Sequence, residues 1–266
     1  MTTNVHPAPR PAPAPAERHP GIPFSRLLGT ELRKLRDTRA GRWLLIAILV
    51  TTPLVVAVML FTADPEKLTF TKLVDFTQTP QKLLLPVVGI LAVTSEWSQR
   101  TGLVTFTLEP DRSRVLLAKG GAAMLLGLLM VVNTLVSAAF GTLLGVALRH
   151  GDGSWAFGAG GLGDITLVLL SGLALGLAFG MLLLNGAAAI VAFYVLPNLS
   201  SVLFNAVHGL KGVSHWLDLN LAQGPLYDHG LSGHQWAQLC TATLLWVVLP
   251  GAFGVLRVLR SEVTSG

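Results

Sequence analysis

The sequence predicts an all-α polytopic membrane protein with six transmembrane helices, preceded by an N-terminal amphipathic helix lying in the membrane interface. Three observations carry this expectation. Charged residues are only 12% of the chain against 52% hydrophobic ones, about half the charge of an ordinary soluble domain, and the mean hydropathy is +0.61. The apolar residues gather into runs long enough to cross a hydrocarbon core of about 30 Å. The basic residues flank those runs instead of covering one face of a soluble unit, the pattern of membrane flanks facing anionic lipid. The net charge of +5 therefore speaks for lipid contact, and nucleic acid is not expected as a partner.

Residues 1–23 form a Pro/Ala-rich tract (HPAPRPAPAPAERHP) with no apolar segment of the secretory kind. Such a tract samples extended conformations without building a core, and is expected to be a disordered cytoplasmic tail. Residues 24–41 are too charged to span. Phe24, Leu27, Leu28, Leu32 and Leu35 recur at helical spacing, opposite Arg26, Arg33, Lys34, Arg36 and Asp37. That division predicts a helix lying apolar side down in the interface.

The transmembrane domain is expected over 43–260. Its spans are placed at 43–61 (interrupted by Pro53), 78–95, 119–148, 164–184, 187–207 and 236–259. The second is the weakest, and Lys82 within it is expected to snorkel outward. Only Asn185 and Gly186 separate the fourth and fifth, which calls for a tight turn. Pro250-Gly251 lies inside the sixth. Residues 261–266 form a short tail. The external loop 208–235 carries Trp216, Leu217, Leu219, Leu221 and Leu226, and is expected to form short helices at the outer interface, with Trp216 and Trp236 as belt residues.

Orientation follows from the positive charges. With six spans, one side holds Arg26, Arg33, Lys34, Arg36, Arg39, Arg42, Arg100, Arg112, Arg114, Lys119, Arg257 and Arg260; the other holds only Lys67, Lys72, Lys82, Arg149 and Lys211. Both termini are thus expected in the cytoplasm. With five spans the arginines of the 96–118 loop and those of the C-terminus could not share the first cluster's side.

Several functions find no residues to carry them. No GxxxxGK[ST] sequence occurs, and Gly158-Ala159-Gly160-Gly161-Leu162-Gly163 follows no strand, so it reads as a flexible external turn. No nucleophile, base and orienting group fall in one layer, so catalysis by this chain is not expected. The single cysteine, Cys240, excludes an internal disulfide and reads as a small buried hydrophobe. His208, His215, His229 and His234 share the last external loop but repeat no ligand spacing, and no metal site is expected. No acidic residue is expected at mid-depth, since Glu96 and Asp164 fall at span ends where carboxylates stay hydrated; this counts against a proton-coupled transporter. Gly172, Gly176 and Gly180, and likewise Ser137, Gly141 and Gly145, stand four apart, predicting faces where helices approach closely. Among polar residues within spans, Asn133, Asn198 and Asn205 read as interhelical hydrogen bonds or as lining of a path.

The loop 96–118 is the most informative stretch. Glu96 closes the second span, Arg100, Thr101 and Gly102 break the helix, and Leu108-Glu109-Pro110 precedes an Asp-Arg-Ser-Arg run suited to starting the third. Here the chain resembles the type-2 ABC exporter permease family. That family shows, in this order, an amphipathic cytoplasmic helix, then a glutamate, a basic residue with Thr/Gly, a Leu–Pro–Arg run and a lysine between spans two and three. The matching residues are Glu96, Arg100, Thr101, Pro110, Arg112, Arg114 and Lys119, with Glu31, Lys34 and Arg36 on the preceding helix. The resemblance covers residues 24–260. It implies that 96–118 is a coupling loop docking on a separate ATPase subunit that binds ATP and Mg, this chain holding no cofactor. It further implies a dimer, with itself or a paralogue, in a bacterial plasma membrane, and a substrate path lined by spans two and five, where Phe193, Tyr194, Asn198 and Asn205 are the candidates. The substrate that these apolar spans would suit is an amphipathic drug, lipid or peptide. The alternatives are a non-transporting regulatory or assembly subunit, a membrane enzyme, or a proton-coupled transporter.

Overall fold

The computed structural model describes residues 22–98, 111–228 and 230–260, and every regular element among them is helical. Helix α1 spans Phe24–Asp37 and α2 spans Arg39–Thr62. The predicted interfacial helix 24–41 is thus cut at Thr38, whose backbone is extended and whose hydroxyl accepts from the Gly41 amide at 3.2 Å. A Cβ at position 41 would collide with the Leu35 carbonyl oxygen, so the corner requires glycine. Helix α1 also departs from the expected apolar-down helix. Its two buried residues are Leu35 and Glu31, so one edge of its inner face is ionic.

Helix α3 spans Phe70–Ser98 and is 29 residues long, about 44 Å at 1.5 Å per residue. It begins eight residues before the predicted span. Leu73, Leu85 and Ile90 are wholly buried along it, and so is Gln81. Helix α4 spans Arg112–Arg149, α5 Ala159–Leu183 and α6 Gly186–Ala206. The expected flexible turn at 158–163 is instead the first turn of α5. The α5–α6 turn is as tight as predicted: Leu184 takes a left-handed conformation (φ 52°), and Asn185 caps α6 by accepting from the Ala188 amide. The connection before α5 folds over the start of α3, where Trp155 stacks on Phe70 and Phe157 meets it edge-on.

After α6, short helices α7 (Lys211–Leu217) and α8 (Leu219–Gln223) lead to α9 (Gly233–Thr243). A π-helical stretch (Leu244–Val248) then joins α9 to α10 (Leu249–Arg260). Pro250 has no N–H to donate to the turn before it, and that turn is the widened one. The segment containing α7 and α8 does not lie on the outer surface as predicted. Leu219, Ala222 and Leu226 are buried against Val168, Leu175 and Leu239. The Leu217 carbonyl accepts from the indole of Trp246, and Gln223 donates to Ser171, both partners lying midway along their own helices. The segment therefore folds back into the bundle. It carries Asp218, wholly buried, which caps α8 through the Asn220 and Leu221 amides.

The register of contacts fixes the helix directions. Asp75 and Gln78 share a small cavity with Asp164 and Ile165; further along, Gly176 abuts Pro86 and Gly180 abuts Ile90. Helices α3 and α5 thus run parallel. Helix α2 opposes α3, with Thr52 at Gln81 and Gly41 near Val88. Helix α4 opposes it too, with Gly141 at Leu73 and Lys119 at Glu96, as does α6, with Gly186 on Thr94 and Tyr194 donating to the Leu83 carbonyl. Helix α10 follows α5, Gly251 meeting Ala178 and Gly254 meeting Met181. The predicted small-residue stripes are therefore at helix crossings, Gly176 and Gly180 on α3, Gly141 and Gly145 on Val56 and Leu68.

Among the described residues, five helices are long and apolar enough to cross a membrane: Arg39–Thr62, Arg112–Arg149, Gly160–Leu183, Gly186–Phe204 and Gly233–Arg260. Helix α3 is not among them, where the sequence predicted six. It fails on composition, and several of its polar residues, Thr77, Gln78, Gln81, Thr94 and Glu96, are buried against other helices. It nonetheless runs beside α5 over most of their shared length.

Candidate functional site

Two polar constellations stand inside this apolar framework. The first lies where α1, α3 and α4 converge. Lys119 bridges Glu31 at 2.6 Å and Glu96 at 2.9 Å; Lys34 bridges Glu31 at 2.7 Å and Glu96 at 2.8 Å. The side chains of Lys119, Glu31 and Glu96 are only 4, 8 and 7% exposed. Two carboxylates and two ammonium groups make a neutral quartet, the condition under which buried charges are tolerated. Burial is the largest single influence on the Lys34 pKa and works to lower it, but the hydrogen bonds and negative charges of Glu31 and Glu96 together outweigh it, and the net shift is upward. Glu96 is therefore not a hydrated carboxylate at a helix end. Both glutamates are occupied by lysines, and among the described residues no three His, Cys, Asp or Glu side chains come together to hold a metal.

The same end of the bundle holds further basic residues. Arg112 donates to the Val258 carbonyl at 3.2 Å and Arg114 to that of Ile22 at 2.6 Å, tying both ends of the helical body to the start of α4. Arg257 donates to the Leu182 carbonyl. Arg36 is exposed and pairs with Asp37 at 3.1 Å, a surface pair worth well under ~1 kcal/mol. Arg100, Thr101 and Pro110 lie outside the described residues. The loop's exit is defined: Asp111 accepts from the Ser113 hydroxyl at 2.5 Å and from the Ser113 and Arg114 amides, capping α4 as predicted.

These hydrogen bonds, the Ser113 hydroxyl foremost, hold the Asp111 carboxyl below its ordinary pKa. A carboxyl depressed on folding stabilises above its unfolded pKa of about 4 and loses that contribution as pH falls through the folded value. Hydrogen exchange at the first turn of α4 is accordingly expected to accelerate below about pH 4. Asp111→Asn, which cannot titrate, should abolish that acid step, and an unaltered step would refute the assignment.

The second constellation is a cavity of about 210 Å³ between α3, α5, α6 and α8. Phe193, Tyr194 and Asn198, three predicted lining residues, face it, joined by Lys82, Asn220, Gln223 and Tyr227. Lys82 does not snorkel to the outside; its ammonium sits 4.0 Å from the centre of the Tyr227 ring. Asn133 is on α4, apart from this cavity, and its amide nitrogen is buried without a partner. The Asn205 side chain is not among those described. Glu96 stands at the end of α3 as expected but is buried instead of hydrated, and Asp218, in the segment between α6 and α9, is wholly buried.

A separate apolar groove of about 480 Å³ runs between α5 and α9 with its π-helical continuation, lined by Leu170, Ala174, Leu239, Cys240, Leu244 and Val247. Cys240 is exposed in it instead of buried. Of the four histidines in the segment 208–235, His234 packs edge-on against Trp216; His229 and the His208 side chain lie outside the described set.

Sequence reasoning found the ionic quartet through the order of its loop residues, but not that the four meet. It missed Lys82, although a lysine inside an apolar run is itself a signal of function. Nothing in the sequence marked Gln223 or Asn220.

Compared with known proteins, the chain matches no family model, no characterised protein and no solved structure. What the fold defines is a class: an all-helical, membrane-embedded protein with a basic end locked by buried ion pairs and a polar cavity among its helices.

Proposed function

We propose that this chain is the membrane-spanning permease subunit of an ATP-driven ABC exporter of a bacterial plasma membrane. It spans six times with both termini cytoplasmic, α3 being the second span and α1 lying in the interface. It acts as a dimer, with itself or a paralogue, and a separate subunit binds ATP and Mg and supplies the energy. The observation that carries this reading is the Glu31–Lys34–Glu96–Lys119 quartet. It joins α1 to the two helices flanking the 96–118 loop, so a push on that loop moves α1, α3 and α4 as one body. Polar partners at both of its ends and the parallel course of α3 and α5 support a sixth crossing, and the basic end supports a cytoplasmic placement.

The test is co-purification with an ATPase encoded beside this chain. Arg100→Glu in the loop is expected to weaken the complex at least tenfold without altering thermal stability. Glu96 is a poor probe, since its replacement would disturb the quartet. A complex indifferent to charge reversal at Arg100 would remove the coupling role of the loop. The buried Asp218 favours one second reading, a proton-coupled transporter; uptake driven by a pH gradient without ATP would establish it instead.

A further inference from the structure

The cavity at Lys82 and the groove beside it are joined by one side chain. Gln223 lines both, and its amide donates to Ser171 at 2.8 Å. On one side stand an ammonium, two tyrosines and two asparagines; on the other the walls are mostly apolar, around more than twice the volume.

Lys82 lies against the face of Tyr227, and the carboxylate whose charge reaches it is that of Asp75. A ring face solvates a cation without cancelling its charge. Asp75, two turns earlier on α3, faces the adjoining small cavity with Gln78 and Asp164 and does not line this one. The chamber therefore offers one positive charge in low-dielectric surroundings, ringed by hydrogen-bonding groups, where an anion gains far more than in water. Phe193, Val168 and Leu175 close it with apolar surface.

We infer that the two chambers form a binding site for a single-chain anionic amphipath, its carboxylate or phosphate head on Lys82 and its alkyl chain in the groove past Gln223. The inference rests on the transporter reading only in calling this molecule a substrate; binding is independent of it. Passage of the chain between the chambers requires the Gln223–Ser171 hydrogen bond to open.

The experiment uses the purified full chain in zwitterionic nanodiscs, without any ATPase. It is titrated with a fluorescent long-chain fatty acid, its methyl ester, the matching alkyl phosphate and an alkyltrimethylammonium. The acid or the phosphate should bind at least tenfold tighter than the ester, the tighter of the two identifying the head group, and the cation should bind weakest. Lys82→Gln should remove that preference, and Lys82→Arg should keep it; unchanged ester affinity in Lys82→Gln shows that the protein is folded. Cys240→Trp, which fills the groove, should weaken the long-chain probe about tenfold and leave its six-carbon analogue unaffected. Equal affinity for acid and ester, or an anion preference surviving in Lys82→Gln, overturns the head site. Indifference of the long chain to Cys240→Trp overturns the tail site. Anion binding by a chain that recruits no ATPase would defeat the exporter reading alone, and a stable ATPase complex without anion preference would defeat this inference alone.

Discussion

Replacing Lys119 by methionine is expected to destabilise the protein by about 3–5 kcal/mol, the range for breaking a buried ion pair. Lys119 is 4% exposed and bridges both Glu31 and Glu96. Without it, two carboxylates remain buried with Lys34 as their one counter-charge in the quartet, and Lys34 is more than a third exposed. The penalty comes from the uncompensated carboxylate more than from lost attraction. The double replacement Lys119→Met/Glu31→Gln makes the quartet neutral again and should recover more than half of the loss. The readout is unfolding in detergent by denaturant or heat, compared as a double-mutant cycle. Additive losses would mean that the two residues do not share one electrostatic unit. On the proposed function the single variant should also uncouple ATP hydrolysis from transport.

The second large effect is expected at the crossing of α3 and α5. A Cβ at position 176 would run into the carbonyl group of Pro86, backbone that no rotamer change can move aside. Gly176→Ala should therefore force the helices apart and cost about 1–3 kcal/mol or more. Gly172 lies one turn away on the same stripe, yet its Cβ would meet only the Pro86 ring, at 3.6 Å, an ordinary contact. Gly172→Ala should be neutral or gain up to ~1 kcal/mol from helix propensity. Thermal unfolding of the two variants side by side checks the register. Equal effects would place the α3–α5 crossing elsewhere. The consequence reaches function, since Pro86 and Gly172 also border the Lys82 cavity.

Much of the architecture was legible because its causes are local or periodic. Long apolar runs mark the helices long and apolar enough to cross a membrane, Asp111 and Asn185 are strong caps, and glycines four apart mark close crossings. The site was legible in part. Glu31, Lys34, Glu96 and Lys119 could be selected individually, because their order along the chain has a recognisable pattern. Lys82 was misread because snorkelling and inward burial leave the same trace in a sequence. The segment 208–235 forms the short helices expected of it, but its packing against the bundle was not legible, because apolar residues at helical spacing fit an interface or a bundle interior equally well.

The sequence by itself determined a membrane-embedded helical protein, most of its helix limits to within a few residues but not the starts of α3 and α4, and a basic bias at the flanks of its apolar runs, all consequences of composition and periodicity. Only the tertiary structure decided three things. It cancelled the charges of Glu31, Lys34, Glu96 and Lys119 against one another across up to 88 residues of sequence. It put polar α3 at the centre, and it folded α7 and α8 inward to close a cavity around Lys82. The physical reason is common to all three. A charge or a polar side chain is placed by whichever distant partner offsets its desolvation, and that partner is chosen by packing, which no local pattern records.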